Sequence, residues 1–354
     1  MMDKREKLQK YGLYDPRFEH DSCGVGFVCN IKGEKTRDII EQGLEVLRRL
    51  SHRGATGADP KTGDGAGILI QIPHEFFLKI AKDASIDLPP QGEYGTGLVF
   101  LPKDESERNY CKQIFAKVIN EQGQNLLGWR PVPVDSSKIG KTAQETQPVI
   151  EQVFIKASDD IILHLRSGII SSSLESLEFE RKLYLIRKLT ENAIRVSNLK
   201  EKSFYITNLS SRTFSYKGLL MPEQVNEFFT DLKSAEIKSA LCLVHSRYST
   251  NTFPAWDLAQ PFRYLAHNGE INTLHGNINW MRARQGLLNS RLFGKDFKKI
   301  LPVIVPGGSD SAALDNIFEL LVLSGRPLAH VMMMLIPAAW EQDALLDQNL
   351  KSFY

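Results

Sequence analysis

Cys23 heads an apolar, glycine-punctuated run, Gly24-Val25-Gly26-Phe27-Val28, that reads as a β-strand. A thiol is the most nucleophilic ordinary side chain near neutral pH. A cut between Ser22 and Cys23 would place the thiol and a new α-amino group on one residue. Such an amine has a reference pKa of about 7.7–8.0 and can act as a base near pH 7. A lone cysteine at a strand start is more often simply buried as a small hydrophobe. The weight therefore falls on residues far downstream.

Three apolar runs, 241–244, 262–266 and 301–305, each read as a strand that ends in polar residues. The first ends in His245-Ser246-Arg247, the second in His267-Asn268-Gly269-Glu270, the third in Gly307-Gly308-Ser309-Asp310-Ser311. A guanidinium, an amide beside a glycine, and a carboxylate make a kit for an α-amino acid. Arg247 can grip a carboxylate bidentately. Asp310 can take an ammonium, and Asn268 with the Gly269 N–H can receive an oxyanion. Each has a plainer reading: Ser309 or Asp310 as a helix N-cap, Asn268-Gly269 as a turn, Arg247 in a surface ion pair. Taken together with Cys23, the plainer readings become the weaker account. His245, His267 and His275 are expected to serve only in structural hydrogen bonds.

These residues need a scaffold. Periodicity predicts a helix over 36–50, with Ile39, Ile40, Leu44 and Leu47 on one face, and further helices over 73–82, 105–122, 174–196, 222–232 and 312–323. Strands are predicted at 23–31, 68–72, 94–101, 149–157 and, interrupted by prolines and edge-like, 126–134. The runs 203–209 and 212–216 read as a hairpin, and 136–147 as a polar connection. Strands and helices mix without a βαβ rhythm, which favours an α+β or layered fold over a dinucleotide-binding one. The glycine-rich stretch from Ser51 to Gly67 follows a helix and opens a strand. That is the reverse of a phosphate loop. Its glycines suit either ordinary turns or close approach of backbone to a site.

Composition narrows the class. With 354 residues, 42% of them hydrophobic, the chain can bury a sizeable core in one large or two medium domains. A net charge of +2 argues against nucleic acid or an anionic membrane as main partner. The four cysteines form no Cys-x-x-Cys, which disfavours a zinc or iron–sulfur site and a disulfide framework. No signal peptide or membrane span is evident, so a cytoplasmic location is expected. The apolar run 331–340 is short and holds Pro337.

The motifs Cys23-Gly24-Val25-Gly26-Phe27, His52-Arg53-Gly54-Ala55, His245 to Thr250, His267 to Asn272 and Gly308 to Ser311 resemble, in order, the class II glutamine amidotransferases, which are N-terminal nucleophile (Ntn) hydrolases. The longer phrases from Asp21 to Phe27, His52 to Asp59 and Thr252-Phe253-Pro254-Ala255-Trp256 are similar to the amidotransferase domain of glutamate synthase large chains. The resemblance implies a four-layer α/β/β/α sandwich and a leader, residues 1–22, removed ahead of a domain over 23–354. It implies Cys23 as nucleophile with its freed amine as base, Arg247 on the glutamine α-carboxylate, Asp310 on the α-ammonium, and Asn268 with Gly269 as oxyanion hole. L-glutamine is the implied substrate. The ammonia would be used at a downstream synthase region, where FMN and an iron–sulfur cluster are expected, served by a small reductase subunit or ferredoxin. No cofactor or metal is expected within this stretch, which reads as a fragment lacking its last strands, with Met332 to Leu335 as exposed apolar positions. Two rivals stand beside this reading: a class II amidotransferase with another ammonia acceptor, and a catalytically silent, unprocessed chain.

Overall fold

The computed structural model describes residues 24–167, 177–201, 203–249 and 252–354. Cys23 and the leader lie outside the described residues. Among the described residues eight strands form two antiparallel sheets. They are β1 (Val25–Cys29), β2 (Ala66–Gln71), β3 (Tyr94–Leu101), β4 (Asn125–Pro131), β5 (Val149–Lys156), β6 (Tyr205–Ile206), β7 (Thr213–Gly218) and β8 (Leu241–Ser246). The first sheet runs β1-β8-β2-β7 and the second β4-β5-β3-β6. The helices are α1 (Arg37–Arg49), α2 (His74–Asp83), α3 (Glu105–Glu121), α4 (Lys141–Thr146), α5 (Asp159–Arg166), α6 (Glu178–Arg195), α7 (Val225–Phe228), α8 (Leu274–Gln285), α9 (Asp310–Leu323), α10 (Leu328–Leu335) and α11 (Gln348–Phe353). The fold is therefore mixed α and β with antiparallel sheets.

The alternation of side chains along a strand explains the two main cores. In the second sheet Val99, Leu101, Val153 and Ile155 face one way, into a cluster with Phe115 of α3, Ile162 of α5 and Leu183 of α6. Leu98, Phe100 and Phe154 face the other way and join Ile68, Ile70, Phe214 and Tyr216 of the first sheet. The apolar stripe of α1, Ile39, Ile40, Leu44 and Leu47, closes the same cluster. Gly43 lets α1 press on β8, for a Cβ there would stand 2.3 Å from Cys242 Sγ.

The register of the first sheet matters most for function. Val25 pairs with His245, and Ala66 pairs with Ser246. Ser246 N–H donates to the Gly24 carbonyl at 2.8 Å, and Arg247 N–H to the Gly65 carbonyl at 2.8 Å. The residue that follows Cys23 is thus pinned beside the end of β8, with the glycine-rich loop on the other side.

Several expectations need correction. The segments 203–209 and 212–216 are not a hairpin: β6 pairs with β3 and β7 with β2, so the chain crosses from one sheet to the other. The Asn208 side chain supplies turn-like bonds in their place, donating to the Thr213 carbonyl at 2.8 Å and accepting from Ser215 N–H at 3.3 Å. Residues 222–232 form two 3-10 turns around the single turn α7, not one helix. Residues 136–147 contain the short helix α4. The runs 262–266 and 301–305 are not strands. Phe262 N–H bonds the Leu265 carbonyl in a tight turn, and the turn's apolar side chains pack on Phe318 and Val322 of α9. Around 301–305 side chains replace a neighbouring strand. Lys188 donates to the Pro302 and Val303 carbonyls, Gln285 accepts from Val303 N–H, and Asn316 accepts from Val305 N–H. Every buried backbone group needs a partner, and these partners make a ladder unnecessary. Helix α8 was not expected; it buries no residue and leaves Trp280 largely exposed.

Candidate active site

One end of the first sheet gathers the polar residues singled out by their chemistry. Strand β8 delivers Arg247, which is 6% exposed. Its guanidinium donates to Thr252 Oγ1 at 2.7 Å and makes a longer 3.5 Å contact with the Asp64 carbonyl. Asp64 in turn accepts from Ser249 N–H at 2.7 Å, which ties the loop after β8 to the glycine-rich loop. Burial lowers the Arg247 pKa, while Asp64, Asp257 and Asp310 oppose that shift. Burial raises the Asp64 carboxyl, against the pull of Ser249 N–H and Arg247. Gly65, at φ +135°, passes under this group where an L side chain is strained, and a Cβ there would meet Ala259 at 3.1 Å. Gly54 packs on Ser246 Oγ. The glycines of this loop thus serve close approach as well as turns.

Asn268 reaches the same place from the loop after Leu265. A Cβ on Gly24 would lie 2.9 Å from Asn268 Oδ1 and 2.4 Å from the Ser246 carbonyl. Asn268 and Gly269 are exposed. Asp310 stands at the first turn of α9, where Ser309 is the N-cap and accepts from Ala312 N–H at 3.2 Å. Asp310 itself accepts from Ile271 N–H at 3.2 Å and Ser311 N–H at 2.6 Å, so α9 and the Asn268 loop are held together. Asn268 therefore lies against Gly24, Arg247 follows Ser246, whose N–H bonds the Gly24 carbonyl, and Asp310 is bonded to the loop that carries Asn268 and Gly269. Cys23, one covalent link from Gly24, lies outside the described residues. Only Arg247 leaves a true strand; the other two arms are loops.

Beneath these loops lies a buried ionic layer that the sequence did not reveal. Arg187 of α6 pairs with Glu191 at 3.0 Å and with Glu319 of α9. Arg263 pairs with Glu191 at 3.5 Å and Asp315 at 3.6 Å, and Asp315 accepts from Tyr264 N–H at 2.9 Å. Buried pairs add little net stability, because desolvation offsets their attraction. Here they fix the register between α6, α9 and the loop that carries Asn268.

His245 and His267 make the structural bonds expected of them. His245 Nε2 meets the His267 carbonyl at 3.2 Å, and His267 Nδ1 meets Ser311 Oγ at 2.9 Å. Burial lowers the His245 pKa to about 3; its bonds to the His267 carbonyl and the Asn268 side chain oppose the shift, while Arg247 and His267 add to it. An unfolded histidine titrates near 6.5. Between those values the unfolded chain binds a proton that the folded chain does not, so stability falls as pH drops from about 6.5 toward 3. A His245→Gln variant should lose part of this sensitivity. Its Tm is expected to fall less than that of the wild type between pH 7 and pH 4, and equal falls would count against a neutral buried His245.

A family profile, Glutamine amidotransferases class-II, matches residues 23–354. The chain belongs to the class-II glutamine amidotransferases. This amidotransferase is 50% identical over 343 residues to the glutamate synthase [NADPH] large chain of Bacillus subtilis, covering 97% of the chain and 21% of that protein. It is 46% identical to the glutamate synthase [NADH] of Schizosaccharomyces pombe, covering 97% of the chain and 16% of that protein. It is 41% identical to the chloroplastic ferredoxin-dependent glutamate synthase of Oryza sativa subsp. japonica, over 93% of the chain and 19% of that protein. The chain thus spans about a fifth of the length of these relatives, and it is homologous to the amidotransferase domain of glutamate synthase large chains. Among the described residues no group of three His, Cys, Asp or Glu side chains is placed to hold a metal ion. No described helix is long and apolar enough to cross a membrane. Sequence reasoning passed over Asp64 as a separate residue, and over Thr252 as a partner of Arg247, because neither spacing nor residue type signals a contact made through folding.

Proposed function

We propose that this chain hydrolyses L-glutamine to L-glutamate and ammonia, as the glutaminase domain of a glutamate synthase. The observation that carries the reading is that Asn268 lies against Gly24, the neighbour of Cys23, with Arg247 at the strand end bonded to Gly24 and Asp310 bonded to the Asn268 loop. In this reading residues 1–22 are a leader whose removal frees the Cys23 amine, and the family match that begins at residue 23 supports that boundary. That amine accepts the thiol proton, and the thiolate attacks the side-chain amide carbon. Asn268 and the Gly269 N–H receive the oxyanion. The C–N bond breaks as the leaving nitrogen takes the proton, ammonia departs, and water then hydrolyses the γ-glutamyl thioester. Arg247 and Asp310 grip the α-carboxylate and α-ammonium. The partly desolvated Arg247 guanidinium can offer an incoming carboxylate a bidentate, charge-assisted grip.

The two antiparallel sheets, packed through Leu98, Phe100 and Phe154 against Ile68, Ile70, Phe214 and Tyr216, with α3, α5 and α6 on the other face of the second, support a four-layer sandwich. We place the consumption of ammonia, the amination and reduction of 2-oxoglutarate, in a downstream synthase region that would hold FMN and an iron–sulfur cluster. The described cysteines, Cys29, Cys111 and Cys242, are scattered over β1, α3 and β8. The relatives are named for NADPH, NADH and ferredoxin, so a reductase subunit or ferredoxin partner would be chosen outside these residues. A cytoplasmic location fits this metabolism.

Arg247→Lys tests substrate recognition. The change should cost about 10–100-fold in kcat/KM for glutamine, mostly through KM, since a charge-assisted bidentate grip is replaced by a point charge. An analogue lacking the α-carboxylate should lose little between the two enzymes. Equal losses on both substrates would remove Arg247 from carboxylate recognition.

A further inference from the structure

Among the described residues no strand pairs with the loop that carries Asn268, yet an oxyanion donor must be fixed in place before charge develops. We infer that Gln260 is the positioning residue for the Asn268–Gly269 oxyanion donors, its carboxamide clamping the main chain of His267 as a strand neighbour would. Gln260 is 4% exposed. Its Oε1 accepts from His267 N–H at 2.9 Å and its Nε2 donates to the His267 carbonyl at 3.1 Å. His245 Nε2 reaches the same carbonyl at 3.2 Å, so both lone pairs of that oxygen are engaged. Asn268 is the next residue in the chain.

The clamp is itself anchored. Lys217 of β7 donates to the Asp257 and Ala259 carbonyls at 3.2 and 2.7 Å. Gly67 of β2 leaves room for the Gln260 carbonyl, which a Cβ there would meet at 2.7 Å. The turn closed by Phe262 N–H and the Leu265 carbonyl then returns the chain to Gln260. Strands β2 and β7 therefore hold Gln260, Gln260 and β8 hold His267, and His267 presents Asn268 toward Gly24. The role of Gln260 is positional. It acts by keeping a donor where a displacement on the order of 1 Å can cost about 100-fold in rate.

The inference rests on the glutaminase reading, and its test separates the two. In the full-length, processed protein, Gln260→Met keeps the bulk of the side chain and removes both bonds. It is expected to lower kcat for glutamine hydrolysis by about 10–100-fold with KM within about threefold, the pattern of lost transition-state stabilisation. Gln260→Glu keeps the acceptor and regains the donor only when protonated. Its kcat relative to wild type should therefore rise as pH falls, and that of Gln260→Met should not. Deuterium exchange of the amides of residues 264–270 should be faster in both variants at neutral pH.

Wild-type kcat in Gln260→Met, or a loss carried wholly by KM, overturns the inference. If the methionine variant does not fold, a flat ratio for Gln260→Glu across pH overturns it instead. An inactive wild type, or a fully active Cys23→Ala variant, denies the glutaminase reading. In that event unchanged exchange over 264–270 rejects the clamp, and accelerated exchange upholds it.

Discussion

Cys23→Ala is expected to abolish glutamine hydrolysis, with a loss on the order of 10⁴-fold or more in kcat in the full-length protein. Removal of a covalent nucleophile has effects of that size, because the oxyanion site and bound substrate alone supply only a residual rate. Cys23→Ser should fare little better, since a hydroxyl is far less nucleophilic than a thiolate near neutral pH. The structural basis is the anchoring of Gly24. Its carbonyl takes the Ser246 N–H, and its Cα faces the Asn268 side chain so closely that no Cβ fits. The residue ahead of Gly24 carries the proposed nucleophile. Folding should not suffer, so circular dichroism and Tm of the variant should match the wild type. Undiminished release of ammonia from glutamine would remove Cys23 from the mechanism.

Asn268→Ala is the second large effect. Loss of one oxyanion donor is expected to lower kcat by about 10²–10³-fold, with little change in KM, since the donor acts mainly when charge develops on oxygen. Asn268→Asp should be at least as poor, because a carboxylate repels the oxyanion. Steady-state ammonia release over a range of glutamine concentrations gives both parameters. A change confined to KM would assign Asn268 to ground-state binding instead. The side chain also contacts His245, so Tm of each variant must accompany the kinetics.

Much of the scaffold was legible because its signals are local. Strand β3 occupies Tyr94–Leu101, the span expected from an apolar run bounded by polar and glycine residues. Strand β4 lies at a sheet edge, as its prolines required. Helix α1 buries the face its spacing predicted. The failures are where local pattern and long-range partner part ways. Residues 262–266 and 301–305 carry strand-like apolar runs, but Lys188, Gln285 and Asn316 satisfy the backbone of 302–305, and a tight turn satisfies Phe262. No composition rule distinguishes a carbonyl bound by a distant lysine from one bound in a ladder. The supposed hairpin failed likewise, since β6 and β7 have strand-like sequences and differ only in which sheet they join.

The site divided in the same way. Arg247, Asn268, Gly269 and Asp310 could be named because their residue types bear chemistry and their motifs recur in order. The groups that hold them could not. Gln260, Thr252, Asp64 and the layer of Arg187, Glu191, Arg263, Asp315 and Glu319 act through contacts made only on folding. A buried arginine and a surface arginine look alike in a sequence. Met332 and Met334 on α10 are exposed, whereas Val331 of the same helix is buried in the cluster with Phe262 and Phe318.

The measurement that bears most directly on the central claim is the mass of the protein purified from cells, with and without a glutamine analogue bearing an electrophile in place of the side-chain amide. Peptide mapping then places any adduct. Cys29 is exposed at the C-terminal end of β1 and serves as an internal control, while Cys111 and Cys242 are buried. The account predicts a chain that starts at Cys23 and carries one adduct, on Cys23, with labelling that saturates and is blocked by glutamine. A chain that starts at Met1 or Met2 with no adduct, or one labelled on Cys29 without saturation, would contradict it.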